Sequence, residues 1–321
     1  EGVIEERIGR LEVELREALS VASVEGENFT AEVAAHVQET DARELIRRLS
    51  GELDKQHRLV NAQGIQRLNG QRLSLYRFQH NLFQTYLYGE LDEVERVCLH
   101  EDVGRVLEEL YGDQVDDIAV QLARHFDEAG IAEKTRTYLE QAGRQAAARF
   151  ANDEAIAYFT RALDLTPESK PDERYDLLLA REQVYGLQGE RELQAQDLAA
   201  LQELAQILGN DRRRVEVALR QARYASFTSD YPAAIAAAQE GIRLAQVVQD
   251  PTSQAVGHYH WGTAANNQGD YETARRQLEK GMALSRAARL RQVEADCLRV
   301  LGILTLDQGD YDKAQTYYEE S

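Results

Sequence analysis

The sequence predicts a mainly α-helical protein that ends in a solenoid of repeated helix pairs. Only 4 of its 321 residues are proline, and the residues that favour helices, such as Ala, Leu, Glu, Gln and Arg, are abundant. The segments 269–274 and 309–314 both read Gly-Asp-Tyr-x-x-Ala, and they lie 40 residues apart. A motif that recurs at a fixed spacing is the signature of a repeat architecture.

Composition limits the classes of function. The net charge of −19 argues against a nucleic-acid or anionic-membrane partner, because both need a positive surface. No stretch approaches the ~18 apolar residues of a membrane span. Cys98 and Cys297 lie in apolar helical patterns, which favours two buried thiols in a reducing compartment over a redox or ligand role. We therefore expect a cytoplasmic protein, and both ends of the sequence suggest a piece of a longer chain.

Residues 1–90 are predicted to form three helices followed by a β-hairpin. Thr30 is expected to cap the second helix, and Thr40 or Asp41 the third. Asn69-Gly70 predicts the two-residue hairpin turn, because both residue types tolerate positive φ. Helices followed by a hairpin are the order of a winged helix, so we assign a winged-helix domain to residues 1–90.

A winged helix raises the possibility of DNA binding. The predicted third helix has four basic residues, but it has as many carboxylates, and the surrounding domain is acidic. This balance favours an internal regulatory or packing module over direct DNA readout.

The segment after the hairpin reads Gln79-His80-Asn81-Leu82. Here the chain resembles the winged-helix domain of the signal-transduction NTPases with numerous domains (STAND), in particular the bacterial maltose-activator-like and NB-ARC-like members. In that family a Met-His-Asp-Leu-type motif opens the helix after the wing, and its His contacts the β-phosphate of ADP. The resemblance therefore implies a nucleotide-sensing role for His80, although Gln79 and Asn81 depart from the motif. The alternative is that His80 simply caps a helix.

The catalytic half of that family is missing from this sequence. No Gly-x-x-x-x-Gly-Lys-Ser/Thr phosphate loop occurs. We therefore expect no cofactor and no enzymatic activity in this fragment. The resemblance implies ATP or ADP in the full-length protein, bound by an upstream nucleotide-binding domain that would be a partner in cis.

Residues 91–165 are predicted to be a helical connector that ends in the first repeat-like helices, and residues 166–321 to be the repeats. His100 and His125 show no ligand spacing, so packing or capping is the favoured interpretation. In each repeat, Gly269 or its equivalent turns left-handed, Asp270 caps the second helix, Tyr271 fills the corner, and Ala274 permits close approach. Because Ser321 falls inside a copy, the last repeat should be truncated and the array should continue.

This unit resembles the tetratricopeptide repeat, whose usual period is 34, so each helix should be about three residues longer here. The resemblance implies a right-handed superhelix whose inner groove is lined by the first helices, and hence a protein or peptide ligand in that groove. Arg, Tyr and Asn suit recognition, and a merely solvated groove is the alternative. The implied groove positions are Arg223, Phe227, Tyr259, Thr263, Asn266, Asn267, Arg299, Ile303 and Asp307.

Metal chemistry is not expected at His258 and His260, because residues two apart on a helix diverge by about 200°. Together these observations favour a sensor segment of a larger signalling ATPase, in which the array binds a protein or small-molecule signal and the winged helix passes it on. The alternatives are an interaction scaffold or homo-oligomerisation arm without switching, and, third, a DNA-binding transcriptional regulator.

Overall fold

The computed structural model describes residues 2–68 and 70–321, and the chain divides into two compact units at Leu165/Thr166. The described part of the first unit contains nine α-helices and a small sheet. The helices are α1 (Gly2–Gly9), α2 (Val13–Glu25), α3 (Ala31–Val37), α4 (Ala42–Arg48), α5 (Asn81–Glu90), α6 (Glu93–Tyr111), α7 (Ala119–Glu128), α8 (Ala132–Ala148) and α9 (Asn152–Asp164). A π-helical segment (Leu49–Gln56) follows α4, and a 3₁₀ segment (Gly112–Ile118) precedes α7.

The sheet has three strands rather than the two of the expected hairpin. They are β1 (Asn28–Thr30), β2 (Val60–Leu68) and β3 (Gln71–Phe78), in the antiparallel order β1-β3-β2. The extra strand β1 covers one side of β3, where Phe29 stacks on Tyr76 with ring centroids 5.8 Å apart. The predicted turn falls partly on Asn69, which lies outside the described residues, whereas Gly70 has φ +79° as that turn requires.

The predicted capping of α3 by Thr30 is wrong. The Thr30 side chain makes no cap bond; its Oγ1 donates to Glu25 Oε1, and its backbone N–H donates to Glu25 Oε2, both at 2.9 Å. Glu25 is buried, so burial is the main cause that raises its carboxyl pKa to about 7. By contrast, Asp41 caps α4 by accepting from the Glu44 N–H at 2.9 Å, as one of the two predicted alternatives.

The second unit consists of helix pairs. Its helices are α10 (Pro171–Gln188), α11 (Arg191–Ile207), α12 (Asp211–Phe227), α13 (Tyr231–Val247), α14 (Pro251–Gln268), α15 (Tyr271–Ala288), α16 (Arg291–Asp307) and α17 (Tyr311–Glu320). Consecutive helices pack on each other throughout. The predicted fold class, a mainly α protein with a solenoid of tetratricopeptide-like helix pairs, is therefore confirmed.

The corner between paired helices follows the predicted chemistry. Gly269 ends α14 in the left-handed region at φ +84°, where a Cβ would be strained. Asp270 then caps α15 by accepting from the Thr273 N–H at 3.1 Å. Ala274 and Ala314 are both buried, at 0% and 2% exposure, as close helix approach requires.

Two expectations about side chains need correction. The corner tyrosines do not all fill the corner: Tyr231 packs on a buried alanine cluster, but Tyr271 and Tyr311 are 38% and 69% exposed. Cys297 is buried as predicted, whereas Cys98 on α6 is exposed.

Tight helix contacts depend on glycine inside the pairs. A Cβ on Gly262 would lie 2.6 Å from Leu278 Cγ, and one on Gly302 would lie 2.8 Å from Tyr318 Cε1. Both glycines face the second helix of their own pair, so a bulky residue on one helix is matched by a missing side chain on the other. In the described residues, no helix is both long and apolar enough to cross a membrane.

Candidate functional site

Successive first helices of the pairs lie side by side in the second unit. Helix α12 contacts α14, and α14 contacts α16. The predicted groove residues are distributed over these helices: Arg223 and Phe227 on α12, Tyr259, Asn266 and Asn267 on α14, and Arg299 on α16. Of these, Tyr259 and Asn266 are half-buried and the other four are exposed.

Arg223 and Phe227 lie together and are joined by a residue that was not predicted. The Phe227 ring is 58% exposed. The guanidinium carbon of Arg191 lies 4.9 Å from its centroid, and that of Arg223 lies 5.5 Å away. Two cations therefore flank one exposed aromatic ring, and the quadrupole of the ring attracts each guanidinium.

A buried hydrogen-bond network holds this arrangement in place. Glu182 is 3% exposed, and it accepts from Arg220 Nη1 at 2.6 Å and from Gln194 Nε2 at 2.7 Å. The other end of the Gln194 amide accepts from Arg191 Nη1 at 2.7 Å. Arg191 also donates to the Gly186 carbonyl at 3.2 Å. The position of the Arg191 guanidinium is thus fixed by groups from α10 and α11.

These side chains line a cavity of about 120 Å³ between α10, α11 and α12, which we call the arginine pocket. Arg220 is neutralised by Glu182, and also by Glu216 at 3.3 Å. Neither Arg191 nor Arg223 forms an ion pair with any described residue. The pocket therefore carries two uncompensated positive charges in a chain of net charge −19. Its lining includes Glu182, Leu187, Arg191, Arg220, Arg223 and Phe227.

A departure from the repeat pattern could have revealed Arg191. Position 191 falls on the column of the corner tyrosines Tyr231, Tyr271 and Tyr311 when the period of 40 is applied. An arginine in a tyrosine column departs from the local rule, and such departures are expected at functional positions. Glu182, Gln194 and Arg220 have no such signal, because only the packing of three helices brings them together.

The α14–α16 part of the predicted groove is more enclosed. Tyr259 packs on a cluster that includes Leu278, Cys297 and Leu301, and burial raises the pKa of its hydroxyl. The neighbouring His260 ring lies 5.2 Å from Tyr259. Burial lowers the pKa of His260 to about 4, and the positive charge of Arg223 contributes. Arg299 is exposed and lies 3.8 Å from Asp296.

His80 belongs to the first unit and lies at the start of α5. Its Nδ1 accepts from the Leu82 N–H at 3.3 Å, so the side chain caps the helix. A neutral ring that accepts at Nδ1 carries its proton at Nε2. The exposed ring can therefore donate one hydrogen bond to an anion such as a phosphate while it caps α5.

No group of three or more His, Cys, Asp or Glu side chains suited to a metal occurs among the described residues. His258 Nδ1 lies 2.9 Å from Gln277 Oε1. His100 and His125 lie in a buried hydrogen-bond chain, with His100 Nε2 3.1 Å from the Tyr88 hydroxyl. The guanidiniums of the arginine pocket suit recognition of an anion.

The fold defines a class of protein, an α-solenoid of tetratricopeptide-like repeats preceded in the sequence by a helical unit with a three-stranded sheet. Comparison with known families supports this class: residues 253–321 match the tetratricopeptide repeat family. No curated protein sequence matches the chain.

Solved structures with a similar fold include a STAND protein with a tetratricopeptide repeat sensor from Pyrococcus horikoshii. The similarity covers 99% of this chain and 51% of that one, with a TM-score of 0.51 and 14% identity. This chain therefore spans about half the length of the Pyrococcus protein. A Rap protein complexed with competence and sporulation factor is similar over 71% of this chain and 70% of its own, with a TM-score of 0.51 and 15% identity. At these identities the similarity concerns the fold alone.

Proposed function

We propose that this chain is the regulatory, signal-sensing segment of a larger signalling ATPase. In this proposal the repeat array binds a protein or peptide through its first helices. The first unit acts as a winged-helix module that couples the array to a nucleotide-binding domain outside this sequence. The chain itself would have no enzymatic activity.

The observation that carries the proposal is the arginine pocket between α10, α11 and α12. It combines an exposed aromatic ring with two guanidiniums that lack an ion-pair partner in the described part of the chain, and a buried network holds one of them, Arg191. Arg and aromatic residues dominate binding hot spots. Fold similarity to a STAND protein over nearly the whole chain supports the coupling to an ATPase. A Rap protein with a similar fold is complexed with a factor, which supports ligand binding by such an array.

The charges of α4 support a regulatory rather than a DNA-binding first unit. Arg47 pairs with Glu44 at 2.5 Å, and Arg48 pairs with three glutamates, Glu12, Glu14 and Glu52. These guanidiniums are thus already neutralised by carboxylates, whereas binding to a nucleic acid needs basic groups that are available to phosphates.

The coupling is tested at His80 in the full-length protein. His80→Ala removes both the cap and the imidazole, whereas His80→Asn keeps a good N-cap acceptor and removes only the imidazole. The measured quantities are the nucleotide that copurifies with the protein and its basal ATP hydrolysis. We expect both variants to retain less ADP than the wild type.

If His80→Asn behaves like the wild type, His80 is only a cap and the nucleotide-sensing role is wrong. If the full-length protein neither binds nor hydrolyses ATP, the switch proposal fails as a whole. An interaction scaffold or oligomerisation arm is then the better description.

A further inference from the structure

We propose that the arginine pocket binds the side-chain carboxylate of an acidic peptide segment whose neighbouring residue is apolar. This inference rests on the proposed function, because it names the ligand chemistry of the same array. It would make the array selective for acidic partners, which its overall charge should otherwise repel.

The first step in the argument is charge. Three arginines line the pocket against one glutamate, Glu182, and that glutamate is already bonded to Arg220 and Gln194. Arg191 and Arg223 are left without an anionic partner among the described residues. A carboxylate is the matching group, because a planar guanidinium presents parallel N–H donors to two oxygens.

The second step is shape and rigidity. Arg191 is held by Gln194 at 2.7 Å and by the Gly186 carbonyl at 3.2 Å. Its guanidinium therefore needs little ordering when a ligand binds, and the loss of side-chain freedom that weakens most surface ion pairs is reduced. Arg223 is fixed less firmly, by its contact with the Phe227 ring.

The third step is the apolar surface beside the charges. Phe227 and Leu187 are each 58% exposed, and both line the pocket. Together they offer an apolar platform next to two donors. The match is a peptide in which an Asp or Glu is adjacent to a Leu, Phe or similar residue. A nucleic acid would present more anions, but the chain's net charge of −19 opposes a polyanion.

The test is affinity selection from a random library of blocked ten-residue peptides, with acetylated and amidated ends so that only side chains carry carboxylates. The wild type is compared with Arg191→Gln/Arg223→Gln and with a matched control, Arg243→Gln, which removes a guanidinium that pairs with Glu240 on α13. We expect the wild type and the control to enrich peptides with Asp or Glu beside an apolar residue, and the double variant to lose this enrichment. The best peptide is then titrated. Replacing its acidic residue by the corresponding amide should weaken binding about tenfold, the effect of one good charge-assisted contact. Replacing Phe227 of the protein by Ala should weaken binding by a similar factor, the effect of one aromatic contact.

Each contrary outcome has a distinct meaning. Enrichment of non-acidic peptides, or of acidic peptides by the double variant as well, overturns the ligand class but leaves a peptide-binding array intact. If peptides are enriched only from a second library with free C-terminal carboxylates, the pocket binds chain ends and the side-chain carboxylate inference is wrong. The inference is also wrong if a ten-nucleotide single-stranded DNA displaces the best peptide. No enrichment of any peptide by the wild type removes both this inference and the proposed peptide binding. Unchanged thermal midpoints of the variants establish that they fold.

Discussion

The Nδ1 atoms of His100 and His125 lie 3.0 Å apart, so one of the two rings donates a hydrogen bond to the other. Arg124 Nη2 lies 3.2 Å from His125 Nε2, and a guanidinium can only donate. His125 Nε2 must therefore accept, so the His125 proton is on Nδ1 and is donated to His100 Nδ1. His100 then carries its proton on Nε2 and donates to the Tyr88 hydroxyl at 3.1 Å. One arginine thus sets the tautomers of two histidines.

The first prediction concerns acid stability of this pair. Both histidines are buried, and burial, followed by the charge of Arg124, lowers both pKa values, that of His100 to about 4. Unfolded histidines take up protons below about pH 6.5. The unfolded state then binds more protons, so stability is lost as the pH falls from about 6.5 towards 4, by up to about 1.4 kcal/mol per pH unit for each histidine.

This loss is measured by urea unfolding at a series of pH values, with hydrogen exchange of the α6 and α7 amides as the readout. The double variant His100→Leu/His125→Leu should have a flatter profile over the same pH range, whatever its absolute stability. An equally steep profile in the variant would assign the acid sensitivity to other groups.

The second prediction concerns Glu25 and has the opposite sign. Because its pKa is raised to about 7, mainly by burial, the folded state binds an extra proton between about pH 4.5 and 7. Stability from this group is present at low pH and is lost as the pH rises through 7. Glu25→Gln mimics the protonated form, so it should stabilise the first unit at pH 8, by about 1–3 kcal/mol, and change little at pH 5. Urea unfolding of the wild type and the variant at pH 5 and pH 8 measures the difference, and equal effects at both pH values would contradict the ionisation argument.

The third prediction concerns backbone strain at Phe150. This residue has φ +60° and is 80% exposed, at a corner where other helix pairs have glycine or Ser229. A side chain in the left-handed region costs about 1 kcal/mol, and exposure provides no compensating burial. Phe150→Gly should therefore be more stable than Phe150→Ala by about 1 kcal/mol, because both lose the ring and only one loses the strain. Thermal unfolding of the two variants compares them directly, and equal midpoints would show that the corner relaxes instead.

The fourth prediction contrasts two glycines in helices. Gly262→Ala would place a Cβ 2.6 Å from Leu278 Cγ, so we expect a loss of about 1–3 kcal/mol from overpacking. Gly89 in α5 has nothing within 4 Å of the same added atom. Gly89→Ala should therefore stabilise the protein by about 0.5–1 kcal/mol through helix propensity. Chemical denaturation of both variants tests the pair, and a neutral Gly262→Ala would mean that the helices separate at little cost.

The fifth prediction concerns the ion pair between Arg181 and Asp197. Arg181 donates to both carboxylate oxygens, at 2.7 and 2.9 Å, and the Asp197 side chain is only 5% exposed. Removing the cation alone leaves a buried carboxylate, so Arg181→Leu should cost about 3–5 kcal/mol. The double variant Arg181→Leu/Asp197→Leu should recover most of that loss. A double-mutant cycle measures the coupling, and additive losses would show that the pair contributes no net interaction energy.

The repeat could be predicted from sequence because its chemistry is local. Gly269 and Asp270 adopt the corner that their backbone preferences dictate, and the fixed spacing shows where each helix pair begins. Strand β1 could not be found this way, since it has only three residues and depends on pairing with β3. The role of Thr30 could not be predicted either, because nothing in the sequence shows that Glu25 is buried beside it and accepts its hydrogen bonds.

The candidate site was predictable in part. Arg223 and Phe227 follow from the helical register of a repeat, whereas Glu182 and Gln194 become relevant only when α10 and α11 pack on α12. Residues at a single repeat position can be read from the spacing, but a network that joins three helices requires the structure.

The matching of Gly262 with Leu278 and of Gly302 with Tyr318 determines which helix pair the chain could lose by deletion. Removing residues 270–309 would join Gly269 to Asp310 and rebuild the same corner. It would also set Gly262 opposite Tyr318, so a bulky side chain would still face a glycine. Removing 230–269 would rebuild a corner equally well, but it would place Ala222, which occupies the Gly262 column, against Leu278. We therefore expect the array to tolerate deletion of residues 270–309 but not deletion of residues 230–269.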